Sequence, residues 1–378
     1  MKVPFLDLPA QAVTLGSALR DALDDVLRSQ RFILGPVVEQ FEQAMARYCG
    51  VPHAIGVGSG TDALVLALQA LGVGPGGIVV TTPLSFFATA SAIARLGARP
   101  LFVDIDPETF NLDPTKVEEA LERHRDHIVG IVPVHLFGRL APMDELLATA
   151  DRFGVWVVED AAQAVGARTP MAMAGAFGRA GCLSFYPTKN LGGIGDGGMI
   201  LTADRALATA LRRERNQGIA APHEHVALGT CSRLDALNAA ALHVKLAHLE
   251  AWNARRREIA GQYATGLREA GLAGAPRAPL MLPASAGEAH VYHQYVVRAA
   301  DRDALGKSLA DQGVATQVYY PTPLPRQPAL ATFALTPMPL PETERAAREV
   351  LALPVYPELS DEQIRHVIDA CRRFYRGA

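Results

Sequence analysis

Cysteine is scarce in this chain, and its thiols stand far apart. Cys49, Cys182, Cys231 and Cys371 are the only 4 cysteines among 378 residues, and no two have Cys-x-x-Cys spacing. A disulfide framework is not expected, and a reducing, cytoplasmic setting fits best. Long apolar runs are missing too: none reaches the roughly 18 residues that a membrane helix needs. The opening, MKVPFLDLPAQ, has no long apolar core and does not read as a signal peptide. Charge of one sign is also lacking. Lys and Arg number 36 against 39 Asp and Glu, a net charge of -3, so the bulk electrostatics point neither to nucleic acid nor to an acidic membrane surface. No metal site is expected. His223 and His225 form a His-x-His pair with no nearby carboxylate or cysteine set of ligand spacing. His124 and His127 fall in the charged segment 122–127, which reads as a solvated face. Arg255-Arg256-Arg257 reads as a solvated helix face or a contact with a second copy.

What the chain does have is apolar sequence cut into short pieces. Hydrophobic residues make up 49% and charged residues 20%, which suits a well-filled protein of about two domains. Apolar, β-branched or aromatic runs recur at 53–59, 77–83, 99–105, 127–135, 155–160, 182–187 and 197–203, each bounded by turn residues. Helical patterns at 61–72 and 142–154 stop at Gly72 and Gly154. The alternation predicts an α/β domain over 1–245, with a mainly parallel seven-stranded sheet and an N-terminal arm. A proline-free, helix-compatible stretch from Arg233 to about Gly271 leads out of it. The remainder, 246–378, reads as a smaller C-terminal α+β domain, with strands at 289–299 and 315–321 and helices at 301–313 and 360–377.

In such a sheet, ligands sit outside the carboxyl ends of the strands. Ser59-Gly60-Thr61-Asp62 follows the first run. Gly60 lets a backbone approach closely, and the helix start offers free N–H groups. That is either a phosphate cradle or simply a helix cap. Glu159-Asp160 closes the fifth run. A carboxylate ending an apolar strand needs a cation, and a pyridinium nitrogen would supply one; the alternative is a structural cap. Lys189 follows the sixth run, inside Ser184-Phe185-Tyr186-Pro187-Thr188-Lys189-Asn190-Leu191-Gly192-Gly193. A lysine in so tight a loop can be held rigid and partly desolvated, which frees its amine to form a Schiff base. Alone it would read as a surface charge; what moves the reading is its place after Asp160, in the order that pyridoxal 5'-phosphate chemistry requires. Phe86 and Phe87 follow the second run and either stack on a ring or pack in the core.

Together these residues resemble the sugar aminotransferases of the DegT/DnrJ/EryC1/StrS family, fold-type I pyridoxal-phosphate enzymes. The resemblance runs nearly end to end. FLDLPAQ and RFILGPVVEQFE look like the N-terminal part, SGTDALVLAL the phosphate cradle, VVEDAAQAVGA the cofactor strand and SFYPTKNLGGIGDGG the lysine loop. SRLDALNAA, YYPTPLPRQPA and LALPVYPELSDEQI are similar to later motifs. The resemblance implies that Lys189 is the Schiff-base lysine and Asp160 the pyridinium partner. It implies that Gln163 contacts the ring hydroxyl, that Gly60, Thr61 and Ser184 hold the phosphate, and that Phe86 stacks on the ring. It further implies a homodimer with active sites at the interface, the loop 229–235 reaching into the neighbour.

Three positions depart from the family pattern. Cys231 stands where the family usually has an asparagine that contacts the cofactor phosphate of the partner subunit, and cysteine is a poor donor. Tyr319-Tyr320-Pro321 replaces His-Tyr-Pro, and Pro325 replaces a polar residue. Arg233, Tyr319 and Tyr320 are candidate substrate contacts, Arg233 reading equally as a surface charge at a helix start. By resemblance the reaction moves an amino group from L-glutamate, through pyridoxamine 5'-phosphate, to a keto-sugar on a nucleoside diphosphate. FLDL and the YPxPLxxQPA pattern look more like the 3-keto than the 4-keto branch. A 4-keto-sugar or cyclitol aminotransferase, or a cofactor-binding protein without transfer activity, are the competing readings. The intact Lys189, Asp160 and Gln163 speak against the last.

Overall fold

The structure is a computed structural model describing residues 1–124 and 127–376. The charged segment 122–127 lies partly outside the described residues, at Arg125 and Asp126.

Seven short strands form the main sheet: β1 (His53–Val57), β2 (Ile78–Thr81), β3 (Arg99–Phe102), β4 (Ile128–Val132), β5 (Trp156–Asp160), β6 (Ala180–Ser184) and β7 (Gly198–Thr202). Their order is β1-β7-β6-β5-β4-β2-β3. β7 runs antiparallel to both neighbours, and the other pairs are parallel. Parallel strands need crossovers, and helices supply them on both faces. This explains why β2 and β7 read as unbroken apolar runs rather than alternating ones: their residues are buried on both sides. Packing is close. A Cβ on Gly130 of β4 would fall 2.3 Å from the indole of Trp156, its register partner on β5.

The crossover helices start and stop where local chemistry directs. Ser59, Asp113 and Asp204 each accept a hydrogen bond from a backbone amide one turn into their helices, worth about 1 kcal/mol apiece. Gly154 closes the helix Met143–Phe153 in the left-handed conformation. The helix Pro36–Cys49 sets Phe41 edge-on to Phe185, ring centroids 5.4 Å apart. Both rings are fully buried, and each such burial contributes roughly 1.5–3 kcal/mol. A hairpin, β8 (Ile219–Ala221) with β9 (Glu224–His225), carries both members of the His-x-His pair.

The C-terminal part differs from the sequence expectation in three places. The stretch from Arg233 to Gly271 is not one helix but two, Ala236–Leu246 and Leu249–Glu269. His248 N bonds to the Lys245 carbonyl at 3.0 Å in an i→i−3 turn, and no proline or glycine marks it. The segment 315–321 is not a strand. Among the described residues its one backbone bridge to the small sheet is at Gln317, paired with Ala352. That sheet is β10 (Leu280–Met281), β11 (Tyr295–Ala299) and β12 (Val350–Leu353), all antiparallel. The expected strand 289–299 is therefore shorter, and His293 and Gln294 fall in the loop before it. A second core gathers Tyr263, Tyr295, Leu305, Leu351 and Val367, and the chain's start joins it through Val3, which bridges Val314.

The arginine run also departs from its reading as a solvated face. Arg256 is 4% exposed. Its Nη1 donates to the carbonyls of Tyr292, His293 and Val355 at 3.1, 3.4 and 2.8 Å. Burial pushes its guanidinium down to about 10.

Candidate active site

Beyond the carboxyl ends of β1, β2, β5 and β6 lies a cavity of about 740 Å³. Gly60, Thr61, Phe86, Asp160, Gln163, Ser184, Lys189, Tyr319 and Tyr320, all singled out from the sequence, line this one cavity. Cys231 and Arg233 do not.

One end is built by the turn from β1 into the helix Gly60–Ala70. Ser59 Oγ accepts from Asp62 N at 3.0 Å, so the cap reading holds for this serine. Among the described residues, the amides of Gly60 and Thr61 meet no acceptor. They carry the positive end of the helix dipole. The turn nests against the sheet only because glycines permit it. A Cβ on Gly60 would lie 2.7 Å from Ser184 Cβ, and one on Gly198 2.3 Å from the Ser59 carbonyl oxygen. The same turn thus caps the helix through Ser59 and leaves two amides open toward the cavity.

The floor holds Asp160, 5% exposed. Its Oδ2 accepts from Thr89 Oγ1 at 2.7 Å and its Oδ1 from Ala162 N at 3.2 Å. Burial raises its pKa, while those hydrogen bonds and then the charges of Lys189 and His135 pull it down. Among the described residues Asp160 has no ion-pair partner. Its neighbour Glu159 points to the other side of β5 and is fully satisfied there. Glu159 Oε1 accepts from Phe177 N and Gly178 N at 2.7 and 2.8 Å. Oε2 accepts from Gly175 N at 2.7 Å and pairs with His135 Nε2 at 2.9 Å. Two adjacent carboxylates thus take separate tasks, one structural and one facing the cavity.

Lys189 sits on a loop that is cross-tied throughout. Lys189 N bonds to Tyr186 O, and Gly193 N to Phe185 O, each at 2.8 Å. Lys245 Nζ donates to Gly192 O at 2.7 Å, and Asn238 bonds Ile194 N and Asp196 O at 2.9 and 2.7 Å. A Cβ on Gly192 would meet Pro187 O at 2.1 Å, so the loop can close only over glycine. Loss of water around the amine pushes Lys189 down to about 8, partly opposed by Asp160.

The opposite wall is aromatic. Phe86 is 60% exposed toward this space and stands 6.5 Å from the ring of Tyr320. Gln163 Nε2 donates to Tyr320 Oη at 3.2 Å, and Gln163 Oε1 accepts from Phe137 N at 2.6 Å, which leaves one amide hydrogen of Gln163 free for a ligand. Thr89, His293 and Gln294 were not singled out from the sequence. Thr89 carried no motif, and the latter two were read inside a strand.

Cys231 and Arg233 lie on the outer side of the cradle. Arg233 donates to Cys231 Sγ at 2.9 Å and to Asn216 Oδ1 at 2.8 Å. Ser232, between them, turns inward, accepting from Gly58 N at 3.0 Å and donating to Asp62 Oδ2 at 2.8 Å.

This donor set fits pyridoxal phosphate. It offers free helix-start amides for a phosphate, an unpaired buried carboxylate for a ring nitrogen, a flanking aromatic face and a desolvated amine.

Comparison with known proteins agrees. The profile of the DegT/DnrJ/EryC1/StrS aminotransferase family matches residues 14–372. A pleiotropic regulatory protein of Geobacillus stearothermophilus is 47% identical over 376 residues, covering 100% of this chain and 99% of that one. A dTDP-3-amino-3,4,6-trideoxy-alpha-D-glucose transaminase of Streptomyces venezuelae is 43% identical, covering 99% and 96%. The structure of S. venezuelae DesV in complex with a ketimine intermediate superposes with a TM-score of 0.93 at 43% identity, covering 99% of both chains. The chain belongs to the DegT/DnrJ/EryC1/StrS family and is a pyridoxal-phosphate-dependent aminotransferase of the α/β fold that this family shares.

Proposed function

We propose that this enzyme transfers an amino group from L-glutamate to the 3-keto group of a hexose carried on a nucleoside diphosphate. The observation that carries the reading is the pairing, in one cavity, of a low-pKa lysine amine with a buried carboxylate that has no ion-pair partner among the described residues. The 3-keto assignment draws on the S. venezuelae transaminase, similar over nearly the full length.

Pyridoxal phosphate, when bound, supplies an aldehyde for amines to condense with and a ring that accommodates the electron pair left by a departing proton. Asp160 keeps a proton on the ring nitrogen, which preserves that capacity. Lys189 Nζ, pushed down to about 8 by burial and so about half neutral at that pH, takes the proton from the donor's α-carbon and returns it one carbon away, acting as base and then acid. Gly60, Thr61 and Ser184 would hold the phosphate, Gln163 the ring oxygen, and Phe86 would pack against the ring. Tyr319 and Tyr320 close the substrate side.

A homodimer is part of the proposal. Phe86, Phe87, Tyr186 and Ile194 are 36–60% exposed in one copy, and the first three line the cavity. Arg233 and Cys231 do not line their own cavity and would serve the neighbour's. A cytoplasmic location is consistent with four free thiols. Among the described residues no helix is long and apolar enough to cross a membrane.

The test is a panel assay. Purified enzyme with cofactor and glutamate is offered nucleotide 3-keto-sugars, 4-keto-sugars and cyclitol ketones, with products read by mass spectrometry. An amino-sugar formed faster from the 3-keto substrates supports the proposal. Preferential turnover of a 4-keto-sugar or a cyclitol ketone would replace it.

A further inference from the structure

The turn that presents the free amides of Gly60 and Thr61 is tied at both ends to one hydroxyl. Ser232 Oγ accepts from Gly58 N at 3.0 Å and donates to Asp62 Oδ2 at 2.8 Å. The roles are forced, because a backbone amide only donates and an ionised carboxylate only accepts. The fit is tight. A Cβ on Gly58 would lie 3.1 Å from Asp62 Oδ2 and 3.3 Å from Ser232 Oγ.

Ser232 is itself held in place. It is 3% exposed, and its backbone amide donates to the Arg215 carbonyl at 3.0 Å. Arg215 Nη1 pairs with Glu42 and donates to the Gly56 carbonyl at 2.7 Å. Glu42 Oε1 in turn accepts from Gly56 N at 2.8 Å. The hydroxyl is thus fixed against β1, two residues before the turn that it closes.

Asp62 gives this bond its consequence. It is the third residue of the helix Gly60–Ala70. A carboxylate in a first turn is drawn to the same positive helix end that attracts a ligand's anion. Here its Oδ2 is turned to Ser232, and neither residue lines the cavity. Among the described residues no other donor meets that carboxylate.

We propose that Ser232 is a positioning residue for the phosphate cradle: its hydroxyl closes the turn 58–62 and keeps the Asp62 carboxylate off the Gly60 and Thr61 amides, which stay open for the cofactor phosphate. Ser232 acts only through Gly58 and Asp62. The inference rests on the reading of this turn as the seat of the phosphate.

The test uses the full-length chain freed of cofactor and two probes, pyridoxal 5'-phosphate and pyridoxal, which differ only in the phosphate. Absorbance titration gives both affinities, and their ratio isolates what the phosphate contributes. Ser232→Ala should lower that ratio about tenfold, the scale of one hydrogen bond to a charged group, with the affinity for pyridoxal unchanged. Adding Asp62→Asn to Ser232→Ala should recover most of the loss, because the competing charge is gone. A wild-type ratio in folded Ser232→Ala overturns the inference, and so does a loss that Asp62→Asn does not relieve. Should Ser232→Ala not fold, Asp62→Asn alone decides. A ratio no more than about threefold above the wild type supports the inference, since a carboxylate already turned aside has little left to compete for. A larger rise means that Asp62 competes even with Ser232 in place, and overturns it. Gly60→Ala separates the two layers. If it lowers the ratio while Ser232→Ala does not, only the role of Ser232 falls. If both keep the wild-type ratio, the phosphate sits elsewhere and the reading of the turn falls with it.

Discussion

Thr89 Oγ1 donates to Asp160 Oδ2 across 2.7 Å, from the first turn of the helix Ala88–Arg95 to the end of β5. This bond is one of two that favour the ionised form of a carboxylate whose pKa burial raises. Thr89→Val should slow the half-reaction with glutamate by about tenfold or more, the effect of one hydrogen bond to a charged group. Asp160→Asn should slow it on the order of 100-fold or more, as expected when one partner of a buried ion pair is lost. Stopped-flow absorbance with each variant, alongside circular dichroism, checks both. Near-normal rates in Asp160→Asn would remove this carboxylate from the chemistry.

Lys189 sets a pH dependence whose sign follows from its environment. Burial disfavours the ammonium and pushes the group down to about 8, so the reactive neutral amine dominates above that pH. Attachment of the cofactor to the apoenzyme should accelerate about tenfold per pH unit below 8 and level off above it. Rapid-mixing spectra across pH 6 to 10 would reveal the bend, taken as about those limits. A rate flat across this range would contradict a low-pKa amine. Lys189→Ala should lose both the visible absorbance of the attached cofactor and turnover.

Gly60→Ala tests the cradle. The added Cβ would sit 2.7 Å from Ser184 Cβ and 3.2 Å from Ser184 Cα, and relief requires the helix start to move. Overpacking of this kind costs about 1–3 kcal/mol. Cofactor affinity should fall about tenfold or more and the melting temperature should drop, as measured by equilibrium titration and thermal scanning. Wild-type affinity would show that the phosphate sits elsewhere.

Cys231→Asn addresses the neighbouring site. An amide replaces a weak donor on an exposed loop, so cofactor should be retained more tightly, by about 3–10-fold, if the loop reaches across a dimer. Retention through gel filtration, with mass determined by sedimentation, checks this. Unchanged or looser retention would detach the loop 229–235 from the partner's cofactor.

Much of the fold was legible because its signals are local. β-branched runs bounded by turn residues located the main-sheet strands, and Lys189 and Asp160 stood out by order and flanking residues. Gly60 was read both as a cradle and as part of a cap; the cap is present at Ser59, and the cradle is part of the proposal. What stayed hidden depended on partners distant in the chain. Arg256 reads as solvated beside Arg255 and Arg257, yet its Nη1 reaches the carbonyls of Tyr292 and Val355. The segment 315–321 has strand composition, but β12 takes the place beside β11. The break at His248 lies among good helix formers and has no local marker.

The sequence by itself determined that a strand would end in two adjacent carboxylates and that a lysine would follow in a loop closed by glycines. It could not determine which carboxylate faces the ligand. Alternation along a strand guarantees only that Glu159 and Asp160 point to opposite sides. The choice was made by three amides from residues 175–178 and by His135, which satisfy Glu159 on its side of the sheet. No comparable set of amides meets Asp160.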